Sequence, residues 1–129
     1  MENYVVYGAF QNSILTQIKT ALPKATLGYG VGYSATSSQS AFDSVVRDIK
    51  ALRTGENIVF ASCGITYMTD TFYNQLDSEY IPIGLWTLDT EEQIINMHKS
   101  VFFVLSDSLN ATEVLYNHAI HLYDDMLEL

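Results

Sequence analysis

Residues 57–63, Asn-Ile-Val-Phe-Ala-Ser-Cys, decide the fold class, because they form a short and mainly apolar run. Residues 3–10 and 101–106 form similar runs. A strand with one solvated face alternates apolar and polar residues, whereas a strand covered on both faces is apolar along its length. The three runs therefore predict buried strands of a mostly parallel sheet.

Amphipathic helices are predicted between these strands. The clearest pattern spans residues 38–53, where apolar side chains recur three and four residues apart on one side. These side chains are Phe42, Val45, Val46, Ile49 and Leu52. The same reasoning predicts helices at residues 12–22, 69–79, 90–98 and 110–127, and further strands at 25–33 and 80–88.

Alternating strands and helices over 129 residues predict a single α/β domain, residues 1–129. The expected architecture is (βα)5: a mostly parallel five-stranded sheet with helices on both faces, of the flavodoxin-like or Rossmann-like type. In the flavodoxin-like order, 2-1-3-4-5, strands 1 and 3 are neighbours at the centre of the sheet. Pro82 and Gly84 predict an edge position or a bulge for the fourth strand.

The charges are distributed unevenly along the chain. Residues 1–69 contain four acidic and five basic residues, a net charge of +1, whereas residues 70–129 contain eleven acidic residues and one base, a net charge of −10. An acidic surface repels phosphate backbones and anionic lipids, so neither nucleic acid nor a membrane is expected as a partner. A protein partner with a basic surface, or self-association, is expected instead; the alternative is that the acidity serves solubility alone.

The chain contains one cysteine, Cys63, so no disulfide can form within it. This composition fits a reducing compartment. No apolar stretch reaches the length of a membrane span, and the first residues lack the basic start of a signal peptide. A cytoplasmic protein is therefore expected, with Cys63 as a small buried apolar residue rather than a nucleophile.

The first predicted ligand site lies beyond the carboxyl ends of strands 1 and 3. Ligands of open α/β sheets bind at this edge, where the strand order reverses. Gly8 and Phe10 follow the first strand, and Ser62 and Gly64 follow the third. Small residues on both sides predict an open crevice, although the glycines are equally explained by tight turns between strand and helix.

A second predicted ligand site is the glycine- and hydroxyl-rich stretch at residues 28–39, which opens a helix. Glycine lets a backbone approach a ligand closely, and hydroxyl and N–H groups at the start of a helix hold anions. The predicted ligands are phosphate, sulfate or a nucleotide, and the binding residues are Gly30, Gly32, Ser34, Thr36 and Ser37. The alternative is a glycine-rich strand followed by a serine that caps the helix.

Two acidic residues near the end of the chain are candidate catalytic groups. Asp107 follows the fifth strand, and Glu113 begins the last predicted helix. In a ligand crevice this pair can act on a sugar or hold a ribose hydroxyl. Glu113 is equally explained by a capping box with Asn110. No metal site is expected, and the sequence indicates no particular cofactor.

The strand–helix pattern is similar to that of response-regulator receivers, but the phosphoacceptor residues are missing. Receivers require acids after strand 1, an aspartate after strand 3 and a lysine after strand 5. Residues 8–10 read Gly-Ala-Phe, residues 62–64 read Ser-Cys-Gly and residues 106–107 read Ser-Asp. Receiver phosphorylation chemistry is therefore excluded, although a receiver-like fold is not.

Residues 5–10, 94–107 and 111–119 resemble segments of the nucleoside 2-deoxyribosyltransferase family. The resemblance implies that Glu113 is a nucleophile and that Tyr116 is its neighbour on the helix. Ala9 stands where that family has proline.

Two hypotheses of function follow. The first is a module without catalytic activity that binds a partner protein and is gated by a small ligand; the aromatic content supports it, because tyrosines favour interfaces. The second is a small enzyme that acts on a nucleotide or sugar phosphate at the carboxyl ends of the strands.

Overall fold

The computed structural model describes residues 5–98, residues 101–105 and the two single residues Glu113 and Asn117. In this part of the chain, strands and helices alternate as predicted. The strands are β1 (Val6–Ala9), β2 (Thr26–Val31), β3 (Val59–Gly64), β4 (Ile83–Trp86) and β5 (Val101–Val104). The α-helices are α1 (Asn12–Ala21), α2 (Gln39–Leu52), α3 (Asp70–Ser78) and α4 (Glu91–Ile95); single 3-10 turns at Ser34–Thr36 and Ile65–Tyr67 follow β2 and β3.

The described strands form one parallel sheet in the order β1-β2-β3-β4-β5. The prediction of an α/β fold with a parallel sheet is confirmed. The flavodoxin-like order is wrong, because β2 lies between β1 and β3 and β1 lies at an edge of the described sheet. The order of these strands never reverses, so the switch point expected between strands 1 and 3 does not exist in this sheet.

In the described part of the chain, the helices α1, α2 and α3 pack on one face of the sheet, and the prediction of helices on both faces is not confirmed there. Alternate residues of β2, β3 and β4 form one buried cluster with side chains of these three helices. The strand residues in this cluster are Leu27, Tyr29, Val31, Val59, Ala61, Cys63, Ile83 and Leu85. The cause is geometric: right-handed crossovers between consecutive neighbouring strands place every helix on the same side.

The opposite face of the sheet is built largely from glycine, and we call it the glycine face. Because side chains alternate along a strand, the residues between the cluster residues point to this side. Register pairs Gly8 with Gly28 and Gly28 with Phe60; in the next row it pairs Gly30 with Ser62. The apolar runs of the sequence thus combine one face that packs against helices with one that carries glycines and aromatic rings.

The predictions for β4 and the helix starts are confirmed in part. β4 lies between β3 and β5 rather than at an edge, and its register with β5 is irregular at Ile83 and Gly84, as expected of a bulge. Ser38 caps α2 by accepting a hydrogen bond from the backbone N–H of Ala41 at 3.1 Å. The capping box of Thr90 with Gln93 is formed, but α4 ends at Ile95, three residues before the predicted end.

The predicted helix at residues 110–127 lies almost wholly outside the described residues. Within it, Glu113 and Asn117 are helical and exposed. Asn110, the predicted cap of this helix, lies outside the described residues.

The end of α3 is closed by a Schellman motif in which Tyr80 has a left-handed backbone. Tyr80 has φ 56°, and its N–H donates to the Asp77 carbonyl at 3.0 Å. The N–H of Ile81 donates to the Leu76 carbonyl at 3.0 Å. The side chains of Leu76 and Ile81 lie in the core. Glycine is the usual residue at this position, because a Cβ makes the left-handed conformation unfavourable.

We expect Tyr80→Gly to raise the free energy of unfolding by about 0.5–1 kcal/mol, since the relief of strain exceeds the entropy that glycine loses on folding. The Tyr80 side chain is 89% exposed, so little packing is lost. Urea unfolding measures the change. Tyr80→Ala removes the ring but keeps the Cβ, so a gain in that variant as large as in the glycine variant would contradict the strain argument.

Candidate functional site

Two adjoining cavities lie at the carboxyl ends of β1, β2 and β3, and we call them together the crevice. The smaller has a volume of about 320 Å³ and opens on the glycine face. It is lined by Gly8, Ala9, Phe10, Gly28, Gly30, Ser62 and Trp86. The larger, about 600 Å³, shares Phe10 and Gly30 with it and extends along the turn after β2 to the start of α2.

Aromatic rings from neighbouring strands lie directly over the glycines of this face. A methyl group built on Gly28 would lie 2.6 Å from Cζ of Phe60, and one built on Gly30 would lie 2.5 Å from Cδ1 of Phe10. A methyl group on Gly64 would lie 2.7 Å from the Trp86 ring. The glycines therefore provide the space that the rings occupy.

The rings of Phe10 and Trp86 meet across the width of three strand spacings. Their centroids are 6.0 Å apart, and their planes cross at 85°. Strands three positions apart in a flat sheet would be about 14 Å apart. The two rings bridge this distance because each leans over a glycine of the adjacent strand, Phe10 over Gly30 and Trp86 over Gly64. The indole Nε1 of Trp86 donates to the Ser62 carbonyl at 3.1 Å, which fixes the orientation of that ring.

Several rings at this end of the sheet remain open to solvent. Phe10 is 65% exposed and Tyr33 is 71% exposed. Tyr33 also meets Tyr67 edge-on, with the ring centroids 6.1 Å apart. Exposed rings beside a concave, mainly apolar cavity are typical of a small-molecule site.

Tyr29, which lines the larger cavity, makes a partly buried hydrogen bond to Asp48. The Tyr29 hydroxyl donates to Oδ2 of Asp48 at 2.8 Å. Burial, together with the neighbouring carboxylate, holds the pKa of Tyr29 far above its usual value. At neutral pH the hydroxyl is therefore a fixed donor to Asp48, and it holds β2 against α2.

The structure brings together most of the residues predicted from the sequence as ligand-binding. Gly8, Phe10, Gly30 and Ser62 line the smaller cavity, although β2 separates the strands that carry the first and last of them. Gly32 and Ser34 line the larger one. Gly64 lies beside the crevice, under the rings of Trp86 and Tyr67.

The hydroxyls of Thr36 and Ser37 take part in local backbone hydrogen bonds. Thr36 donates to the Gly32 carbonyl at 3.0 Å, and Ser37 donates to the Ser34 carbonyl at 2.8 Å. Ser38 is the cap of α2. The anion site expected at this stretch stays a prediction, and of its predicted hydroxyl residues Ser34 lines a cavity.

The predicted catalytic pair is not brought together by the described residues. Asp107 lies outside them, and Glu113 is an exposed helical residue. Among the described residues, no group of three or more His, Cys, Asp or Glu side chains is placed to hold a metal ion. None of the described helices is long and apolar enough to span a membrane.

Sequence reasoning did not identify Trp86 or Tyr33 as site residues. Trp86 ends β4, a strand that neither predicted ligand site included, and Tyr33 lies within residues 28–39, where only glycines and hydroxyl residues were predicted to bind. The alternation of Gly28 and Gly30 with larger residues in β2 is the pattern that would have pointed to them. This alternation indicates that one face of the strand carries no side chains, so that aromatic rings of neighbouring strands can lie over it.

Comparison with known proteins gives a likeness in fold. No protein-family model matches the chain, and no curated protein matches it in sequence. The chain is similar to the crystal structure of a candidate glycerophosphoryl diester phosphodiesterase from Silicibacter pomeroyi DSS-3, with a TM-score of 0.69 and 16% sequence identity. The match covers 92% of this chain and 39% of that one, so this chain spans about two-fifths of that structure. At this identity the likeness shows the α/β fold alone.

Proposed function

We propose that this chain binds a small molecule with a ring that stacks on aromatic side chains, such as a nucleoside or a sugar, in the crevice. The observation that carries the proposal is the placement of the Phe10 and Trp86 rings, in contact with each other, over glycines at the carboxyl end of the sheet. Aromatic faces stack on the bases of nucleosides and on the C–H faces of sugars, and Gly8 leaves the backbone beside the rings open to a ligand.

The position of the crevice in the fold supports the same function. A parallel sheet in consecutive strand order, with its helices on one face, is also the arrangement of successive units in a (β/α)8 barrel. In such barrels the loops at the carboxyl ends of the strands form the binding site. The crevice lies at this end, on the face opposite the helices, which corresponds to the barrel interior.

The expected protein partner stays part of the proposal. A ligand bound against Phe10 and Tyr33 would change the surface at the carboxyl ends of the strands. Such a ligand could therefore control whether a partner protein binds there. The acidity of residues 70–129 favours a basic partner surface. The cluster of Asp124, Asp125 and Glu128 that would test this charge effect lies outside the described residues.

Trp86, the single tryptophan, reports binding in the crevice directly. We expect its emission to change saturably when adenosine or methyl glucoside is added at millimolar concentration. Phe10→Ala is expected to weaken binding about tenfold, because stacking on one aromatic ring contributes about 1–3 kcal/mol. Calorimetry measures that variant, since loss of the Phe10 ring changes the starting emission.

Two further variants sharpen this test. Gly30→Ala places a methyl group where the Phe10 ring lies, so it should displace the ring and weaken binding while Phe10 is still present. Tyr80→Ala removes an exposed ring at the amino end of the sheet and should leave binding unchanged. Emission that stays constant with all ring compounds, or equal binding by the Phe10→Ala variant, would refute the proposal.

A second candidate function is action on a nucleotide or sugar phosphate. The likeness in fold to the candidate phosphodiesterase favours it, as does the Ser34 hydroxyl at the larger cavity. Chemical-shift mapping with inorganic phosphate tests it. Shifts at residues 28–40 would support an anion site there, and their absence at millimolar phosphate would remove this candidate.

A further inference from the structure

The two cavities of the crevice differ in the chemistry of their walls. The smaller, about 320 Å³, is lined by glycines, an alanine and the rings of Phe10 and Trp86, and Ser62 is the one hydroxyl residue among the described residues that line it. The larger, about 600 Å³, has four hydroxyl residues in its lining: Tyr29, Tyr33, Ser34 and Ser44. The smaller cavity therefore suits an apolar ring, and the larger suits a polar group.

A sugar in the smaller cavity would find few partners for its hydroxyl groups. The Ser62 carbonyl already accepts a hydrogen bond from the indole Nε1 of Trp86 at 3.1 Å, and the backbone of β2 pairs with both neighbouring strands. A hydroxyl that leaves water without gaining a new partner is unfavourable. The faces of a heteroaromatic base need no such partners and stack on aromatic side chains. The smaller cavity thus favours a base over a sugar.

The hydroxyls of the larger cavity fall into two pairs. Tyr29 donates to Asp48 at 2.8 Å, and Ser44 donates to a backbone carbonyl of α2 at 3.2 Å, so both take part in bonds within the protein. Tyr33 and Ser34 are exposed side chains on the turn after β2, and their hydroxyls are open to a ligand. This pair offers the hydrogen bonds that a sugar requires.

The walls of the crevice also select for charge. Among the described residues, no ionised side chain lines either cavity. Protein sites for phosphate commonly use Arg or Lys, and the net charge of −9 on this chain repels an anion. The described walls therefore favour a ligand without a phosphate group.

We propose that the ligand of the crevice is a neutral nucleoside. Its base lies in the smaller cavity against Phe10 and Trp86, and its ribose bonds to the Ser34 hydroxyl in the larger cavity. The two cavities adjoin at Phe10 and Gly30, which line both, so a base and a sugar joined by one bond can occupy them together. This inference rests on the proposed function, since it requires the crevice to bind a ring.

Calorimetry with three neutral probes tests the division of the crevice. Adenosine should bind about tenfold more tightly than adenine, and methyl riboside should not bind measurably at millimolar concentration. Ser34→Ala should weaken adenosine binding about threefold to tenfold, as expected for loss of one hydrogen bond, and should leave adenine binding unchanged. Ser40→Ala removes an exposed hydroxyl in the first turn of α2, on a residue that lines neither cavity, and should change neither affinity.

Amide-shift mapping on the whole chain locates the two parts of the ligand. Adenine should shift Gly8, Gly28 and the indole N–H of Trp86, which line the smaller cavity. Adenosine should shift these signals and also residues 32–35, which line the larger one.

The outcomes separate this inference from the proposed function. If adenosine leaves residues 32–35 unshifted, or if Ser34→Ala weakens adenine as much as adenosine, the two-part site is overturned while ring binding stands. Tighter binding of adenosine monophosphate than of adenosine would overturn the neutral ligand and support the second candidate function. If none of the probes binds, the inference and the proposed function fail together.

Discussion

Replacing Gly28 with alanine is expected to lower the free energy of unfolding by about 3 kcal/mol, the upper part of the range for overpacking. The added methyl group would lie 2.6–3.2 Å from three atoms of the Phe60 ring. Phe60 is 3% exposed, so its ring cannot turn out to solvent without losing its own burial. Urea unfolding at neutral pH measures the effect.

Gly8→Ala is the matched control, because Gly8 and Gly28 are partners in adjacent strands. A methyl group on Gly8 would come no closer than 3.8 Å to its nearest neighbour, which is an ordinary contact. Neither glycine has a positive φ, so alanine fits both backbones. We expect Gly8→Ala to leave stability unchanged or to raise it by about 0.5 kcal/mol, since alanine loses less entropy on folding.

A double variant identifies the Phe60 ring as the cause. Combining Gly28→Ala with Phe60→Leu removes the ring atoms that meet the new methyl group, so the two changes should be coupled by more than about 1 kcal/mol. Additive effects in this cycle, or a loss in Gly8→Ala as large as in Gly28→Ala, would show that the rings do not lie over these glycines.

The features that the sequence predicts well are those determined locally. Helix α2 follows from the spacing of Phe42, Val45 and Ile49 and from the Ser38 cap, all of which lie within its own sequence. The capping box at the start of α4, formed by Thr90 and Gln93, is predicted for the same reason. Such elements need no knowledge of the neighbouring strands.

Strand order and helix placement depend on contacts between distant segments, and here the sequence misleads. An apolar run such as residues 57–63 looks the same whether helices cover both of its faces or rings cover one of them. In β3, Ala61 and Cys63 face the helices, whereas Phe60 lies over Gly28 of β2. The distinction therefore depends on which strand is the neighbour.

The candidate site was predicted in part because the carboxyl ends of all parallel strands meet at one edge. Gly8, Phe10 and Ser62 reach the crevice in either strand order. Trp86 was missed because its approach to Phe10 depends on glycines of other strands that leave room for both rings, which no pattern local to β4 reveals.

Alkaline unfolding is expected to depend on Cys63. The thiol is fully buried in the core, and burial raises the pKa of Cys63 from 9.0 to about 12. A thiol that ionises more readily in the unfolded chain favours unfolding, so its contribution to stability is complete below pH 9 and is lost as the pH rises towards 12. The expected loss exceeds about 1 kcal/mol for each pH unit and reaches about 4 kcal/mol across this window.

Cys63→Ala isolates this contribution from that of the buried tyrosines. At pH 7 the variant should be less stable by about 1–2 kcal/mol, because it leaves a small cavity in the core. Between pH 9 and pH 10 the unchanged protein should lose stability faster than the variant, because only the unchanged protein has the thiol. Tyr29 and Tyr73 contribute little in this range, since tyrosines of the unfolded chain ionise mainly above their ordinary pKa of 10.0. The two stability curves should therefore cross at about pH 10, when urea unfolding is measured in the presence of a reductant. Parallel curves from pH 7 to pH 11 would mean that the thiol ionises equally readily in the folded and unfolded chains. The Cys63 side chain would then not be buried in the core against the helices.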